Sequence, residues 1–352
     1  MSIVMSEPPI DDPQLDAVLP SEAGPGETLS FRHHAARVVI FILKYALGIV
    51  LIAWMAFSGK LDFSLVGSLP AALIAECVAL VLVQTLIGAF RVRYILDHQG
   101  VHTGLWQCVL YNCAGILYSA FLPGGISGDA VRAYLFMKAA PGHRLGVLGA
   151  MVLDRVLGLL SMVALGMTAA LYIAISVEVI RPYLLVFGAI LAALVGGLAM
   201  LQFIGARHKD HDVPFSRLPG LWAKLKRAVA ELRIHEYPVG VLAMAVGQSV
   251  VIHLTAVAII YACSLHAGAG LDFLRVFVAT PIGLLVNAIP LSPGGLGIGE
   301  NAFELLYRAI GGSHGATSFL IARFFLYAPA LVGLGYILKR LAIRKRPMKE
   351  RE

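Results

Sequence analysis

Two stretches of this chain repeat one chemical pattern. Leu122-Pro123-Gly124-Gly125-Ile126-Ser127-Gly128-Asp129 and Leu291-Ser292-Pro293-Gly294-Gly295-Leu296-Gly297-Ile298-Gly299-Glu300 each run Pro-Gly-Gly, a short spacer, a glycine and a carboxylate. Proline ends an incoming helix because it lacks an N–H, and the glycines permit a positive φ and a close backbone approach. A helix restarting after such a turn offers free N–H groups and a positive dipole end, which suits an anion. Asp129 and Glu300 fall in that first turn, where capping and substrate work are equally open readings.

Each motif is followed by a charge inside an apolar stretch: Asp154-Arg155 after the first, Arg323 after the second. A buried arginine costs at least about 2.5–3.5 kcal/mol on insertion scales, so it needs a partner or a wet cavity. Asp129 or Asp154 can serve Arg155, and Glu300 can serve Arg323. One reading is a structural ion pair between the motif helix and the next span. The other is that Arg155 and Arg323, with Arg132 nearby, attract a lipid phosphate, which a guanidinium grips in a bidentate fork.

Weaker candidates share the apolar stretches. Glu76, Gln84, Gln248, His253, Asn112 and Asn287 suit interhelical hydrogen bonds, and Glu76 and His253 are candidates for a coupling proton. Cys77, Cys108, Cys113 and Cys263 show no metal-ligand spacing and read as packing residues. Asp210-His211-Asp212 has the look of a metal pair, but its loop is too short for a nucleotide-binding fold. Nucleotide-loop, zinc-protease and serine-hydrolase motifs are missing from the sequence, so no metal and no cofactor is expected. A membrane-embedded transferase would have to draw its base from Asp129, Glu300 or His253.

The elements that must position these groups are apolar. The chain has 352 residues, 59% hydrophobic and only 14% charged, which excludes a soluble enzyme, a disordered chain and a free nucleic-acid-binding protein. Apolar segments lie at about 38–57, 68–90, 108–122, 146–175, 182–205, 237–263, 273–290 and 316–339, several near or above the roughly 18 residues that cross a bilayer. The expected class is an all-α polytopic membrane protein. The short segments 108–122 and 273–290 run into the Pro-Gly-Gly turns, and charged helices, 128–138 and 299–311, follow. This predicts two re-entrant hairpins and six full spans; the plainer alternative is eight spans with two kinks.

Charge orients the spans. If the hairpins enter and leave on one side, twenty of the 28 Lys and Arg residues face the cytoplasm, and only Lys60 and Arg181 lie in the opposite connections. Arg91 and Arg93 count among the twenty. Each half (38–176 and 182–339) then holds three crossings and one hairpin, an odd number, so the second is inverted relative to the first. Residues 1–37 read as a disordered acidic, proline-rich cytoplasmic tail and 340–352 as a basic cytoplasmic tail. Segment 215–233 reads as a basic amphipathic helix, lying on the inner leaflet or docked as a connector.

Three motifs in order carry a resemblance: Leu122 to Arg132, Leu153-Asp154-Arg155-Val156-Leu157-Gly158-Leu159, and Leu291 to Glu300. Together, over about residues 38–340, they resemble the transmembrane region of lysylphosphatidylglycerol synthetases and the wider family of flippase-like integral membrane proteins. The resemblance implies a lipid-translocating module, shared with proteins assigned to aminoacylated phosphatidylglycerol, archaeal lipid-linked glycosylation and hopanoid-producing bacteria. Full synthetases carry a large soluble transfer domain, and about 13 residues follow the last span here, so aminoacyl-lipid synthesis is not expected of this chain. The expectation is a flippase of the bacterial cytoplasmic membrane with both termini inside. Its ligands would be membrane lipids, and its alternative role would be escorting a separate lipid-modifying synthase.

Overall fold

The structure, a computed structural model, describes residues 28–121, 127–174, 178, 181–210 and 234–344. Among them the elements are helical: α1 (Thr28–Phe57), α2 (Phe63–Gly67), α3 (Ala71–Asp97), α4 (Leu105–Phe121), α5 (Ser127–Ala139), α6 (Arg144–Ile173) and α7 (Arg181–Asp210), then α8 (Val239–His266), α9 (Phe273–Asn287), α10 (Ile298–Ala309), α11 (Gly315–Tyr327) and α12 (Pro329–Arg344). Gly124 and Gly125 of the first motif and the amphipathic segment 215–233 lie outside the described residues.

Length and composition make Ala71–Asp97, Pro141–Tyr172, Val239–His266 and Gly315–Leu341 long and apolar enough to cross a membrane. Tyr45–Phe57, Leu184–Met200 and Phe273–Asn287 are shorter apolar helices. The last long stretch is α11 and α12 end to end. Pro329, which has no N–H to donate, starts α12 right after Ala328.

Two boundaries differ from the sequence reading. Helix α1 begins at Thr28, not near 38, because residues 28–37 contain neither Gly nor Pro and continue the helix. The 28–37 part of the expected tail is therefore helix. Helix α3 runs to Asp97, past the apolar block ending near 90, because Val92, Ile95 and Leu96 keep a buried face. Arg91 is consequently an interior helical residue with 11% of its side chain exposed, not a loop residue.

The packing is built around α3, α6 and α8, which touch one another and pass through both main cores. One core joins Leu73, Val81, Val163, Ile260, Phe303 and Phe319. The other joins Val92, Ile95, Tyr111, Phe136, Leu157 and Val241. The same three helices carry polar groups: Asp154 and Ser161 on α6, Ser249 and His253 on α8, and Arg91 reaching in from α3. Burial of this kind holds each polar group only through its partners.

The two motif segments form helix pairs. Helices α4 and α5 pack together, and so do α9 and α10. In the first pair Gly128 lies so close to Gly115 O and Ser119 Oγ that a Cβ there would collide with both. In the second, Gly294 and Gly295 take positive φ, 55° and 73°, and a Cβ on Gly295 would overlap Asn287. The ends of the pairs meet, since a Cβ on Gly294 would sit 3.3 Å from Ala120 O at the end of α4. Helix α1 touches both ends: Tyr45 donates to Phe121 O, and a Cβ on Gly48 would lie 3.3 Å from Leu296 O.

Candidate functional site

At the second motif one arginine meets one carboxylate. Glu300 is in the first turn of α10, where its Oε2 accepts the Gly297 N–H at 2.7 Å and so completes a cap. The same carboxylate receives Arg323 Nε at 2.5 Å and Nη2 at 3.1 Å. Nη2 also reaches Asn287 Oδ1 at 2.8 Å and Gly295 O at 3.2 Å, and Nη1 reaches Gly294 O. Phe319 and Tyr327 stack near the guanidinium at 4.9 and 5.8 Å from their ring centroids. Arg323 therefore ties α11 to the turn, to the end of α9 and to the start of α10. Glu300 is fully buried and the Arg323 side chain is 11% exposed. Glu300 thus caps α10 and also binds an arginine.

The first half gathers more charge. Asp154, buried on α6, accepts Arg91 Nε at one oxygen and Arg132 Nη2 at the other, both at 2.7 Å. Arg91 also donates to Ser249 Oγ at 2.7 Å, which links α3 to α8. Arg132 reaches Asn112 Oδ1 at 3.4 Å and Asp129 at 3.5 Å, both loose contacts. Among the described residues its buried Nε has no hydrogen-bond partner. Asp129, in the first turn of α5, pairs with Arg155. That arginine is 56% exposed and Asp129 is 19% exposed. Three guanidiniums thus face two carboxylates in this cluster.

Arg155 has an unusual surround. Along α6 it shares an outward stripe with Leu148, Val152 and Leu159, all exposed and apolar. Its neighbour Asp154 points inward, because successive helical positions turn by about 100°. A charged pair on an apolar outward face is stable in a membrane only where water or a headgroup reaches it.

Of the other sequence candidates, His253 places Nε2 2.9 Å from Gly158 O and lines a small cleft with Met162, Phe277, Thr280 and Pro281. It lies one helical turn beyond Ser249, beside the cluster. Glu76 is exposed, and fifteen positions along α3, about 22 Å, separate it from Arg91. Asn112 and Asn287 bind the arginines of their own halves. Gln248 Oε1 is buried without a partner among the described residues.

Three participants were missed in the sequence. Arg91 reads as a connection residue from the end of the apolar block, and the signal that places it in a helix is the spacing of Val92, Ile95 and Leu96. Ser249 carries no sequence signal at all. Glu304, buried on α10, accepts Arg308 Nε at 2.6 Å and the Ala316 N–H at 3.1 Å, so it secures the start of α11. A Glu–Arg pair four residues apart ordinarily suggests a solvated helix face, which hid its burial.

No curated protein matches the chain. The family model described as "Lysylphosphatidylglycerol synthase TM region" matches residues 41–333, a stretch that contains both helix pairs and all of the arginines just described. The chain is a membrane protein belonging to the lysylphosphatidylglycerol synthase transmembrane-region family.

Proposed function

We propose that this protein moves an anionic or phosphate-bearing lipid between the leaflets of a bacterial cytoplasmic membrane by alternating access. The lipid class follows from the surplus guanidinium and from the family name, which speaks of a phosphatidylglycerol derivative. The headgroup would bind at Arg155 and Arg132, with the acyl chains left in the bilayer, so only the headgroup is desolvated. Arg323, its donors taken by Glu300, Asn287 and two turn carbonyls, would act as a pin that keeps the second turn in shape. His253 is the better placed of the two candidates for a coupling proton.

The supporting architecture is two oppositely oriented halves: α1, α3, α4–α5 and α6, then α7, α8, α9–α10 and α11–α12. Helices α4, α5, α9 and α10 have 17, 13, 15 and 12 residues. At 1.5 Å per residue these are roughly 18–26 Å long, short of a hydrocarbon core of about 30 Å, so each pair suits a re-entrant hairpin better than two crossings. Broken helices meeting at the midplane of inverted repeats are a recurring transporter design. The observation that carries the reading is the contact of the second turn with the end of α4, Gly294 against Ala120, with an arginine of the next helix bound to each outgoing carboxylate. Both termini and the basic connections then face the cytoplasm.

The test is reconstitution. Purified protein in liposomes should bring a headgroup-labelled phosphatidylglycerol within reach of a membrane-impermeant quencher faster than protein-free liposomes do. Equal rates would contradict transport. Cysteines placed at 139–145 should be labelled from the cytoplasmic side only, and periplasmic labelling would contradict the hairpin topology. The family name also supports a second role, escort of a separate synthase, for which a soluble lipid-modifying enzyme should co-purify.

A further inference from the structure

The Asp129–Arg155 pair is the exposed link in the first-half cluster. Asp154 is committed to two arginines at 2.7 Å. Asp129 instead holds Arg155 at the surface and Arg132 only at 3.5 Å. An oxyanion replacing the Asp129 carboxylate would meet Arg155 from the apolar side of α6, Arg132 Nη2, which lies 3.5 Å from that carboxylate, and one unit of surplus positive charge. A carboxylate and a phosphate are competing ligands for the same guanidinium fork.

We propose that Asp129 is a built-in competitor: it occupies Arg155 until a phosphate group displaces it, and that exchange unlatches α5 from α6. The site takes a phosphate-class oxyanion, and the lipid-transport reading enters only in assigning that phosphate to a phosphodiester headgroup. Displacement frees the first turn of α5 while Asp154 keeps Arg132 and Arg91 in position. Ligand binding and hairpin release thus become one event, because a ligand shifts a conformational equilibrium only by preferring one state. Arg155 and Arg132 are ligand groups in this scheme, and Asp129 and Asp154 position them.

The experiment uses the full chain in detergent, titrated with dioctanoyl phosphatidylglycerol, dioctanoyl phosphatidylcholine and inorganic phosphate. Arg155→Gln should bind phosphatidylglycerol about tenfold more weakly, the loss of one charge-assisted hydrogen bond. Asp129→Asn should bind it more tightly, by about tenfold at most, because a competing state is removed. Asp129→Glu, which restores a competitor, should return toward the wild-type affinity, and the Arg93→Gln control on the outer face of α3 should not differ from wild type. A purely structural Asp129 predicts the opposite sign, weaker binding in Asp129→Asn, and that result or no change would overturn the proposal.

If Asp129→Asn does not fold, wild-type protein decides the question. Hydrogen exchange across 127–132 should rise on adding phosphatidylglycerol, and unchanged or slower exchange would overturn the latch. A response to phosphatidylglycerol and not to inorganic phosphate assigns the site to a lipid headgroup. A response to both admits free phosphate as a ligand, and a response to neither sinks the proposal. Latch behaviour without lipid movement in liposomes would overturn only the transport reading, and lipid movement without a sign change at Asp129 would overturn only the latch.

Discussion

The two carboxylate–arginine pairs occupy matching places in the sequence and opposite environments in the fold. Glu300 and Arg323 lie inside the protein, with every side of the guanidinium engaged by the turn, by Asn287 and by two aromatic rings. Asp129 and Arg155 lie at the outer edge of α5 and α6, on an apolar stripe, beside a buried Arg91–Asp154–Arg132 bridge. The same motif therefore builds a buried pair in one half and a half-exposed pair in the other. The difference is one of charge balance: one against one in the second half, three against two in the first.

The comparison can be broken most easily at the joint of Glu300 and Arg323. Arg323→Ala leaves Glu300 buried and unpaired, and breaking a buried pair in this way costs about 3–5 kcal/mol. Purified Arg323→Ala should aggregate or melt far below wild type, and a wild-type melting temperature would remove the pin.

Asp154→Asn comes next. It weakens the bond that holds Arg91 and Arg132 together, yet Ser249, Asn112 and Asp129 still reach those side chains. The expected loss is on the order of 3 kcal/mol, read from the same melts.

Gly333→Val follows. A Cβ at Gly333 in α12 would collide with the Cys113 backbone in α4, so this contact between halves should lose about 1–3 kcal/mol. The effect should be on stability and not on lipid selectivity, which a transport ratio between headgroups would show.

The smallest expected change in stability sharpens the contrast. Arg155→Gln removes a half-exposed pair and should cost no more than about 1 kcal/mol, since exposed ion pairs contribute little. A loss as large as that of Arg323→Ala would erase the distinction between joint and latch.

The partners of the joint were legible in the sequence because both are ionisable and sit in apolar surroundings, so desolvation cost makes Glu300 a candidate partner for Arg323 beside a lipid phosphate. The helix pairs around the Pro-Gly-Gly turns were legible for a similar reason, since proline and glycine punctuate helices wherever they fall. What was not legible was which carboxylate each first-half arginine would choose. Asp129 and Asp154 are both within reach in sequence, and helical phase decides: Asp154 turns inward to Arg91 and Arg132, and Arg155 turns outward to Asp129. Arg91 escaped because the edge of an apolar block is not the end of a helix. Ser249 escaped because a lone hydroxyl in a spanning helix is indistinguishable from one that bonds back to its own turn, as it also does to Ala245 O.

In the proposed transport cycle the outward arginine of the first half, Arg155, receives an anionic headgroup. The most direct measurement of this step is the initial rate of lipid movement in liposomes containing wild type or Arg155→Gln at equal amounts of folded protein, for phosphatidylglycerol and phosphatidylcholine side by side. Wild type should favour phosphatidylglycerol, and the Arg155→Gln variant should lose that preference together with most of its rate. An Arg155→Gln variant that moves phosphatidylglycerol as fast and as selectively as wild type would contradict it.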